Sequence, residues 1–321
     1  MASRIVVTQP VQADQLDRLR HAGHEVVALG SPRGLTAAEV VKACDGADAL
    51  LCQLTDEISA DVFAVEGLRV VATIAVGFDN VDVAAAAARH ILVTHTPGVL
   101  TAATADLTMA LMLATARHIP ESDASVRDDL TRPWRLLPEP MGADISGATL
   151  GIVGLGRIGT AVAQRAHFGF GMRIVYQARR PAVGQRFEAT RLPLEELLAE
   201  SDVVSLHAPL TAETRHLINR KTLALMRPHT ILVNTSRGGL VNEVDLAAAL
   251  AANRLAGAGL DVFEHEPDVH PDLLACGPKV VLTPHIGSAT TKTRAAMTGL
   301  AVDNILAVLA GQPPLNPVPS T

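Results

Sequence analysis

Aromatic side chains are scarce in this chain: one Trp, one Tyr and six Phe among 321 residues. Any core must therefore be built from aliphatic side chains. Ala, Val and Leu supply them, and 48% of the residues are apolar. That content excludes a disordered chain, which combines low hydrophobicity with high net charge. Cysteine is scarce too. Cys44, Cys52 and Cys276 are odd in number and fit no zinc-ligand spacing, so no metal is expected, and the thiols are expected to be reduced and mostly buried. A reducing compartment follows. No basic block occurs, and 27 Lys and Arg against 33 Asp and Glu leave a formal charge of −6. A nucleic-acid partner is not suggested. Long apolar runs are missing as well: the most apolar stretch, residues 107–116, carries Thr108 and Thr115 and is too short to span a bilayer. It reads as a buried or interface helix. The first residues run straight into a strand-like segment without the shape of a signal peptide. The expected address is cytoplasmic, with no membrane partner.

What is present is an alternation. Single cores rarely outgrow about 250–300 residues, so the length suits two domains. Short apolar runs at Ile5-Val-Val, Val26-Val-Ala-Leu, Ala49-Leu-Leu and Val70-Val-Ala-Thr-Ile are separated by helix-like stretches, one opened by Thr36 and Glu39 as a capping box. Continuous rather than alternating apolar runs suit parallel strands covered on both faces. A second set starts at Thr149-Leu-Gly-Ile-Val and continues through Arg173-Ile-Val-Tyr, Asp202-Val-Val-Ser-Leu, Thr230-Ile-Leu-Val-Asn, Gly257-Ala-Gly-Leu and Val280-Val-Leu. A last helix over 289–310 could return to the first domain. The expected fold class is α/β, with two Rossmann-like doubly wound parallel-sheet domains. Their expected boundaries are 1–100 plus 287–321 for one and 101–286 for the other.

Gly154-Leu155-Gly156-Arg157-Ile158-Gly159 is a G-x-G-x-x-G that follows a strand-like run and opens a helix, the context in which that pattern binds a dinucleotide. Gly154 permits the tight turn, Gly156 a close approach of the pyrophosphate and Gly159 close helix–strand packing, while the helix-start amides form the anion site. The next strand should end in a carboxylate if the cofactor were NAD, to hold the ribose 2′-hydroxyl. It runs instead into Ala178-Arg179-Arg180. A guanidinium pairs with a 2′-phosphate, so NADP(H) is the expected cofactor, with NAD(H) the weaker alternative. Either Arg179 or Arg180 could carry that contact.

Thr94-His-Thr-Pro, the glycine fingerprint, Val233-Asn-Thr-Ser-Arg-Gly-Gly, Gly259-Leu-Asp-Val-Phe-Glu-His-Glu-Pro and Thr283-Pro-His-Ile-Gly-Ser-Ala-Thr occur in this order. With them the sequence resembles the D-isomer-specific 2-hydroxyacid dehydrogenases over nearly its whole length. Arg165-Ala-His-Phe-Gly-Phe-Gly and the Ala178-Arg179-Arg180 turn are most similar to the glyoxylate/hydroxypyruvate reductases, including those that also reduce 2-ketogluconate. The resemblance implies a catalytic trio of Arg237, Glu266 and His285. A 2-oxo acid needs its carboxylate clamped, its ketone oxygen polarised and a proton delivered. The planar fork of Arg237 can bridge carboxylate and ketone oxygens. An imidazole suits a general acid or base near neutral pH, and Glu266 would orient that of His285. Each of the three taken alone has an ordinary structural explanation; their joint placement after strands of the second set is what points to catalysis.

The resemblance carries further positions. Val76 and Gly77 match the loop whose amides hold the substrate carboxylate, and Ser288 a residue that touches substrate. Thr104 matches a residue beside the nicotinamide and Asp261 an acid near its carboxamide. His207, Ala208 and Pro209 match the adenosine-side loop, while Thr235, Ser236 and Gly287 complete the expected cofactor contacts. Asp106 stands where the family more often has Glu. The 1–100 domain would bind substrate and the 101–286 domain the dinucleotide. Helices around 101–117 are expected to mediate a homodimer. Trp134 could reach a neighbouring subunit or simply pack in its own chain. The expected activity is reduction of a small 2-oxo acid (glyoxylate, hydroxypyruvate or 2-ketogluconate type) to the D-2-hydroxy acid. An NAD-linked phosphoglycerate or lactate type of dehydrogenase, or a nucleotide-sensing corepressor of the same fold, are the alternatives.

Overall fold

A computed structural model describes residues 2–129, 131, 133–137 and 139–319. The chain divides into two compact units, Met1–Leu100 with Ala289–Thr321, and Thr101–Ser288. In the first, β1 (Arg4–Val7), α1 (Ala13–His21), β2 (Glu25–Ala28), α2 (Ala37–Ala43), β3 (Ala49–Cys52), β4 (Val70–Thr73), α3 (Val83–Ala88) and β5 (Leu92–Thr94) follow one another. The strands form one parallel sheet in the order β2-β1-β3-β4-β5. Strands β3 and β4 are buried at every residue, which is why they read as apolar runs without alternation, Thr73 at the end of β4 excepted. The Thr36 capping box starts α2: the Thr36 side chain accepts from the Glu39 amide, and the Glu39 carboxylate accepts from the Thr36 amide.

The second unit opens with α4 (Thr101–Ala116) and α5 (Ile119–Asp128), then β6 (Thr149–Val153), α6 (Arg157–Phe170), β7 (Arg173–Gln177), β8 (Ala189–Arg191), α7 (Leu194–Glu200) and β9 (Val203–Leu206). It continues with α8 (Arg220–Leu223), β10 (Ile231–Asn234), α9 (Glu243–Ala251), β11 (Gly257–Leu260), α10 (Pro271–Ala275) and β12 (Val280–Leu282). The sheet is parallel, in the order β12-β11-β10-β9-β6-β7-β8. Chain direction across it reverses between β6 and β9, so the loops after those strands flank a switch point, where open α/β sheets bind ligands. The short strands β5 and β8 were not separable from loop by apolar pattern: each has only three residues.

Helix α4 spends most of its apolar surface inside its own unit. Ala105, Met109, Leu111 and Met112 are buried in a cluster with Leu150, Ile152, Val162 and Ile174, each large side chain contributing about 1.5–3 kcal/mol by leaving water. Gly257 and Gly259 of β11 make room for it: a Cβ on Gly257 would stand 2.8 Å from Thr115 Cγ2, and one on Gly259 3.1 Å from Leu111 Cβ. What α4 leaves exposed is small or charged, at Ala102, Asp106 and Ala110. Helix α11 (Thr291–Leu309) packs on α1 and on strands β3 and β4 of the first unit. Trp134 is 84% exposed, so it is not a packing residue of its own chain.

Cys44 and Cys52 are buried and Cys276 is half-buried, all as free thiols. Burial pushes the Cys44 thiol up to about 12 and raises those of Cys52 and Cys276, which keeps all three protonated and unreactive at neutral pH. Among the described residues, no helix is long and apolar enough to cross a membrane, and no group of three or more His, Cys, Asp or Glu could hold a metal ion.

Candidate active site

The glycine fingerprint lies at the switch point of the second sheet. Gly154 adopts φ +97°, a left-handed conformation that favours glycine, and a Cβ there would stand 2.7 Å from the His207 carbonyl and the Ala208 amide. The loops after β6 and β9 can therefore touch only because this residue has no side chain. At Gly159 a Cβ would collide with the Gly154 carbonyl, so this glycine lets α6 start against its strand. Gly156 is the reverse case: nothing lies within 4 Å of where its Cβ would be. A glycine with open space beside it, at a helix start, is a cradle that a side chain would fill, and it fits a dinucleotide phosphate. The first turn-closing donor of α6 is Thr160, bonded to Gly156 O at 2.9 Å. The amides of Arg157, Ile158 and Gly159 precede it and suit an anion. The side chains of Leu155 and Ile158 pack on the core, so their main chain is what they can offer a cofactor.

Beyond β7 the chain turns at Ala178, half-buried, and exposes Arg179 and Arg180. The charge of Arg179 helps hold the Glu213 carboxyl below its usual range, after the Thr211 hydroxyl and the Glu213 backbone amide. The turn thus faces the loop that follows β9. On that loop, His207 Nε2 lies 2.8 Å from Ser205 Oγ, and burial holds the imidazole down to about 4. It is neutral at physiological pH. The Ser236 hydroxyl donates to the Ala208 carbonyl at 2.6 Å, tying the loop after β10 to the one after β9.

Arg237 sits just past β10 in a turn pinned by Asn234, whose side chain accepts from the Ser236 amide at 3.1 Å and donates to Arg237 O at 2.9 Å. One Arg237 amine, Nη1, donates to Ser236 O at 2.8 Å. Gly238 packs against the Phe263 carbonyl and the Glu264 amide so closely that a Cβ would overlap them. This contact joins the Arg237 turn to the loop that carries Glu266. In that loop, Glu266 Oε1 accepts from the Phe263 amide at 3.1 Å, and Oε2 lies 2.7 Å from His285 Nδ1. A carboxylate can only accept, so Nδ1 carries the proton and donates it, leaving Nε2 for chemistry.

The backbone of His285 is left-handed, with φ +52°, unusual for a side chain of this size. Asp261 holds it there. Asp261 O accepts from the His285 amide at 2.9 Å. Its carboxylate accepts from the Ile286 and Gly287 amides, both at 2.8 Å, and from the Thr283 hydroxyl at 2.7 Å. Burial raises the Asp261 pKa, with these bonds and the His285 charge opposing the rise. The resemblance assigns Asp261 to the nicotinamide; in the structure its oxygens are occupied by the histidine turn. Thr104 and Gly287 are neighbours, a Cβ on Gly287 lying 3.4 Å from Thr104 Cγ2. Thr108 links Thr104 O to the Thr235 hydroxyl, both at 2.8 Å. Thr104, Thr235, Asp261 and Gly287, separated in sequence, therefore converge.

Sequence reasoning missed a second histidine–carboxylate pair beside the trio. His216 Nε2 is 2.5 Å from Glu264 Oε1, the His216 amide donates to Gly239 O at 2.8 Å, and the Glu264 amide donates to buried Glu243 at 2.7 Å. These bonds brace the Arg237 turn and the Glu266 loop together. Asp106, the departure from the family pattern, accepts from Arg165 Nε at 2.7 Å and joins α4 to α6. In the first unit, Val76 and Gly77 are half-buried. The Val76 carbonyl accepts from His95 Nδ1 at 2.8 Å, and the Phe78 ring meets the His95 ring edge-on at 5.7 Å. His95 belongs to the Thr94-His-Thr-Pro motif, but no role of its own was legible there. Cys52 is buried in the core, whereas the neighbouring Gln53 amide donates to the buried Asp56 carboxylate at 2.8 Å.

A glycine cradle at a sheet switch point, with an arginine turn and an oriented imidazole at the ends of neighbouring strands, defines a dinucleotide-dependent dehydrogenase. Residues 109–287 match the family model described as D-isomer specific 2-hydroxyacid dehydrogenase, NAD binding domain. The chain is 45% identical to a glyoxylate reductase of Korarchaeum cryptofilum, covering 98% of this chain and 96% of that one. It is 42% identical to glyoxylate/hydroxypyruvate reductase B of Klebsiella pneumoniae, covering 97% and 96%. The crystal structure of an NADPH-dependent glyoxylate/hydroxypyruvate reductase from Sinorhizobium meliloti, in complex with NADP and malonate, superposes with a TM-score of 0.86 at 35% identity, covering 99% and 97%. The chain belongs to the D-isomer specific 2-hydroxyacid dehydrogenases and carries their nicotinamide-dinucleotide-binding domain.

Proposed function

We propose that the protein reduces a small 2-oxo acid of the glyoxylate or hydroxypyruvate type, with 2-ketogluconate a further candidate, to the D-2-hydroxy acid, and that it prefers NADPH. The Nδ1–H of His285 bound to Glu266 at 2.7 Å carries this reading, because it is the arrangement a proton donor to a ketone needs. The names of the Korarchaeum, Klebsiella and Sinorhizobium relatives support the substrate class. Ala178 in place of an acid, followed by Arg179 and Arg180, supports the NADPH preference.

When bound, the nicotinamide supplies the hydride. Gly154, Gly156 and the amides of residues 155–159 would hold its pyrophosphate, Arg179 or Arg180 the 2′-phosphate, His207, Ala208 and Pro209 the adenosine side, and Thr104, Thr235, Ser236, Asp261 and Gly287 the rest. Arg237 polarises the ketone oxygen and takes part of the carboxylate charge through its planar fork. His285 delivers its Nε2 proton to that oxygen as the alkoxide charge develops. Glu266 fixes the ring through its Nδ1–H and stabilises the doubly protonated imidazolium whose Nε2 proton is transferred. Val76, Gly77 and Ser288 are assigned to the substrate.

We also propose a cytoplasmic homodimer. Free, unreactive thiols suit the setting. Ile119, Val126, Trp134, Leu136, Leu137 and Met141 are exposed apolar side chains just beyond α4, and they suit a self-interface better than α4 does. A protein that sediments as a monomer at micromolar concentration would remove this part. The activity itself is tested by kcat/KM for glyoxylate, hydroxypyruvate, 2-ketogluconate and pyruvate with each cofactor. Turnover of the first two with NADPH, at about ten- to a hundredfold higher kcat/KM than with NADH, is expected from one good arginine–phosphate contact. No turnover of any of the four acids would overturn the substrate class, and equal values for the two cofactors the NADPH preference.

A further inference from the structure

Strand β8 brings a third arginine to the turn that follows β7. Arg191 ends β8 and pairs in register with Tyr176, so it arrives beside Ala178 although thirteen residues separate them in the chain. Its Nε and Nη2 donate to Ala178 O at 3.2 and 2.8 Å, and Nη2 donates also to Arg179 O at 3.2 Å. A guanidinium has five N–H groups; these bonds use Nε and Nη2 and leave the two on Nη1 outside them. A cavity of about 340 Å³, lined by Gln177, Ala178, Arg191, Leu192, Pro193 and Leu194, opens here.

The two carbonyls are the decisive feature. Bare carbonyl oxygens at Ala178 and Arg179 would repel a phosphate placed at this turn, yet would accept a hydrogen bond from a ribose 2′-hydroxyl. Covered by a guanidinium, they present a cation instead. We infer that Arg191 is a specificity-determining residue that selects a 2′-phosphorylated adenosine, by masking the Ala178 and Arg179 carbonyls and by offering its Nη1 donors to the phosphate. This inference rests on the NADPH preference proposed above. It also explains why an exposed arginine is held on two carbonyls.

The test is calorimetric and needs no turnover: binding of 2′,5′-ADP and of 5′-AMP to the full-length protein and to Arg191→Ala and Arg191→Gln. Gln can still donate one bond to Ala178 O, so it keeps a brace on the turn while removing the charge. Both variants are expected to bind 2′,5′-ADP about ten- to a hundredfold more weakly, the scale of a lost charge-assisted contact, with 5′-AMP affinity held within threefold or improved. Retained 5′-AMP binding shows that the adenosine site is intact. The unmodified protein should also lose 2′,5′-ADP affinity with added salt more steeply than the variants do. If it prefers 2′,5′-ADP and either variant keeps that preference within threefold, Arg191 has no selecting role while the NADPH reading stands. If the unmodified protein binds the two nucleotides equally, the NADPH reading fails and this inference with it.

Discussion

Replacing Glu266 by Gln tests the catalytic pair with almost no change of shape. Glu266 now accepts twice, from the Phe263 amide at 3.1 Å and from His285 Nδ1 at 2.7 Å. A glutamine has one accepting oxygen and one donating nitrogen, so it can satisfy only one of these donors. With its oxygen on Phe263, its amine faces Nδ1, and the doubly protonated ring that delivers the proton loses its acceptor. With its oxygen on Nδ1, the amine faces the Phe263 amide. The charge-assisted bond, about 1.5–3 kcal/mol, becomes a neutral one of about 0.5–1.5. The unmatched donor costs about 1–3 kcal/mol more. A total of about 2–4 kcal/mol lowers the rate roughly thirtyfold to a thousandfold, at about 1.4 kcal/mol per factor of ten. The loss should fall on kcat in the reductive direction, followed by NADPH absorbance at saturating hydroxypyruvate, while NADPH affinity stays within about threefold. A folded Glu266→Gln protein with kcat within threefold of the parent would refute the pairing as a catalytic device.

Arg237→Lys keeps the charge and loses the fork. Its kcat/KM for any 2-oxo acid should fall at least about a hundredfold with NADPH binding little changed, and turnover near the parent's would remove the role given to Arg237. Ala178→Asp combined with Arg179→Ala restores an acceptor for the ribose hydroxyl and removes a phosphate partner, so the ratio of kcat/KM for NADPH to that for NADH should invert; an unchanged ratio places the phosphate elsewhere. His207, held at about 4 in the folded protein against about 6.5 unfolded, makes the unfolded state bind a proton first as pH falls. The stability it permits is full above about pH 6.5 and is lost as pH drops toward 4, by about 2 kcal/mol at pH 5. His207→Gln, which can keep a bond to Ser205, should therefore lose less urea resistance than the parent between neutral pH and pH 5. Equal losses would show that His207 is not buried neutral.

The two parallel sheets were legible because β-strands covered on both faces are mostly apolar, and β3, β4, β9 and β10, buried at every residue, carry at most one polar side chain each. The fingerprint was legible for a related reason: strand, glycine turn and helix start are contiguous, so Gly154, Gly156 and Gly159 report their roles locally. The alternation of runs also carried the capping box at Thr36 and the missing acid at Ala178. The trio was proposed through resemblance, since no local pattern links Arg237, Glu266 and His285.

Tertiary structure decided what depends on register between elements distant in the chain. Gly238 must be glycine because Phe263 and Glu264, distant in the chain, occupy the place of its Cβ. Asp261 holds the His285 turn because β11 and β12 lie side by side, and His216 reaches Glu264 across 48 residues. Arg191 meets Ala178 only because a three-residue edge strand, too short to show a pattern, pairs with β7. Hydrophobic periodicity and turn chemistry are properties of neighbouring residues and can be read along the chain. Hydrogen bonds between strand-end loops depend on strand order and register, and these are set only when the sheet assembles.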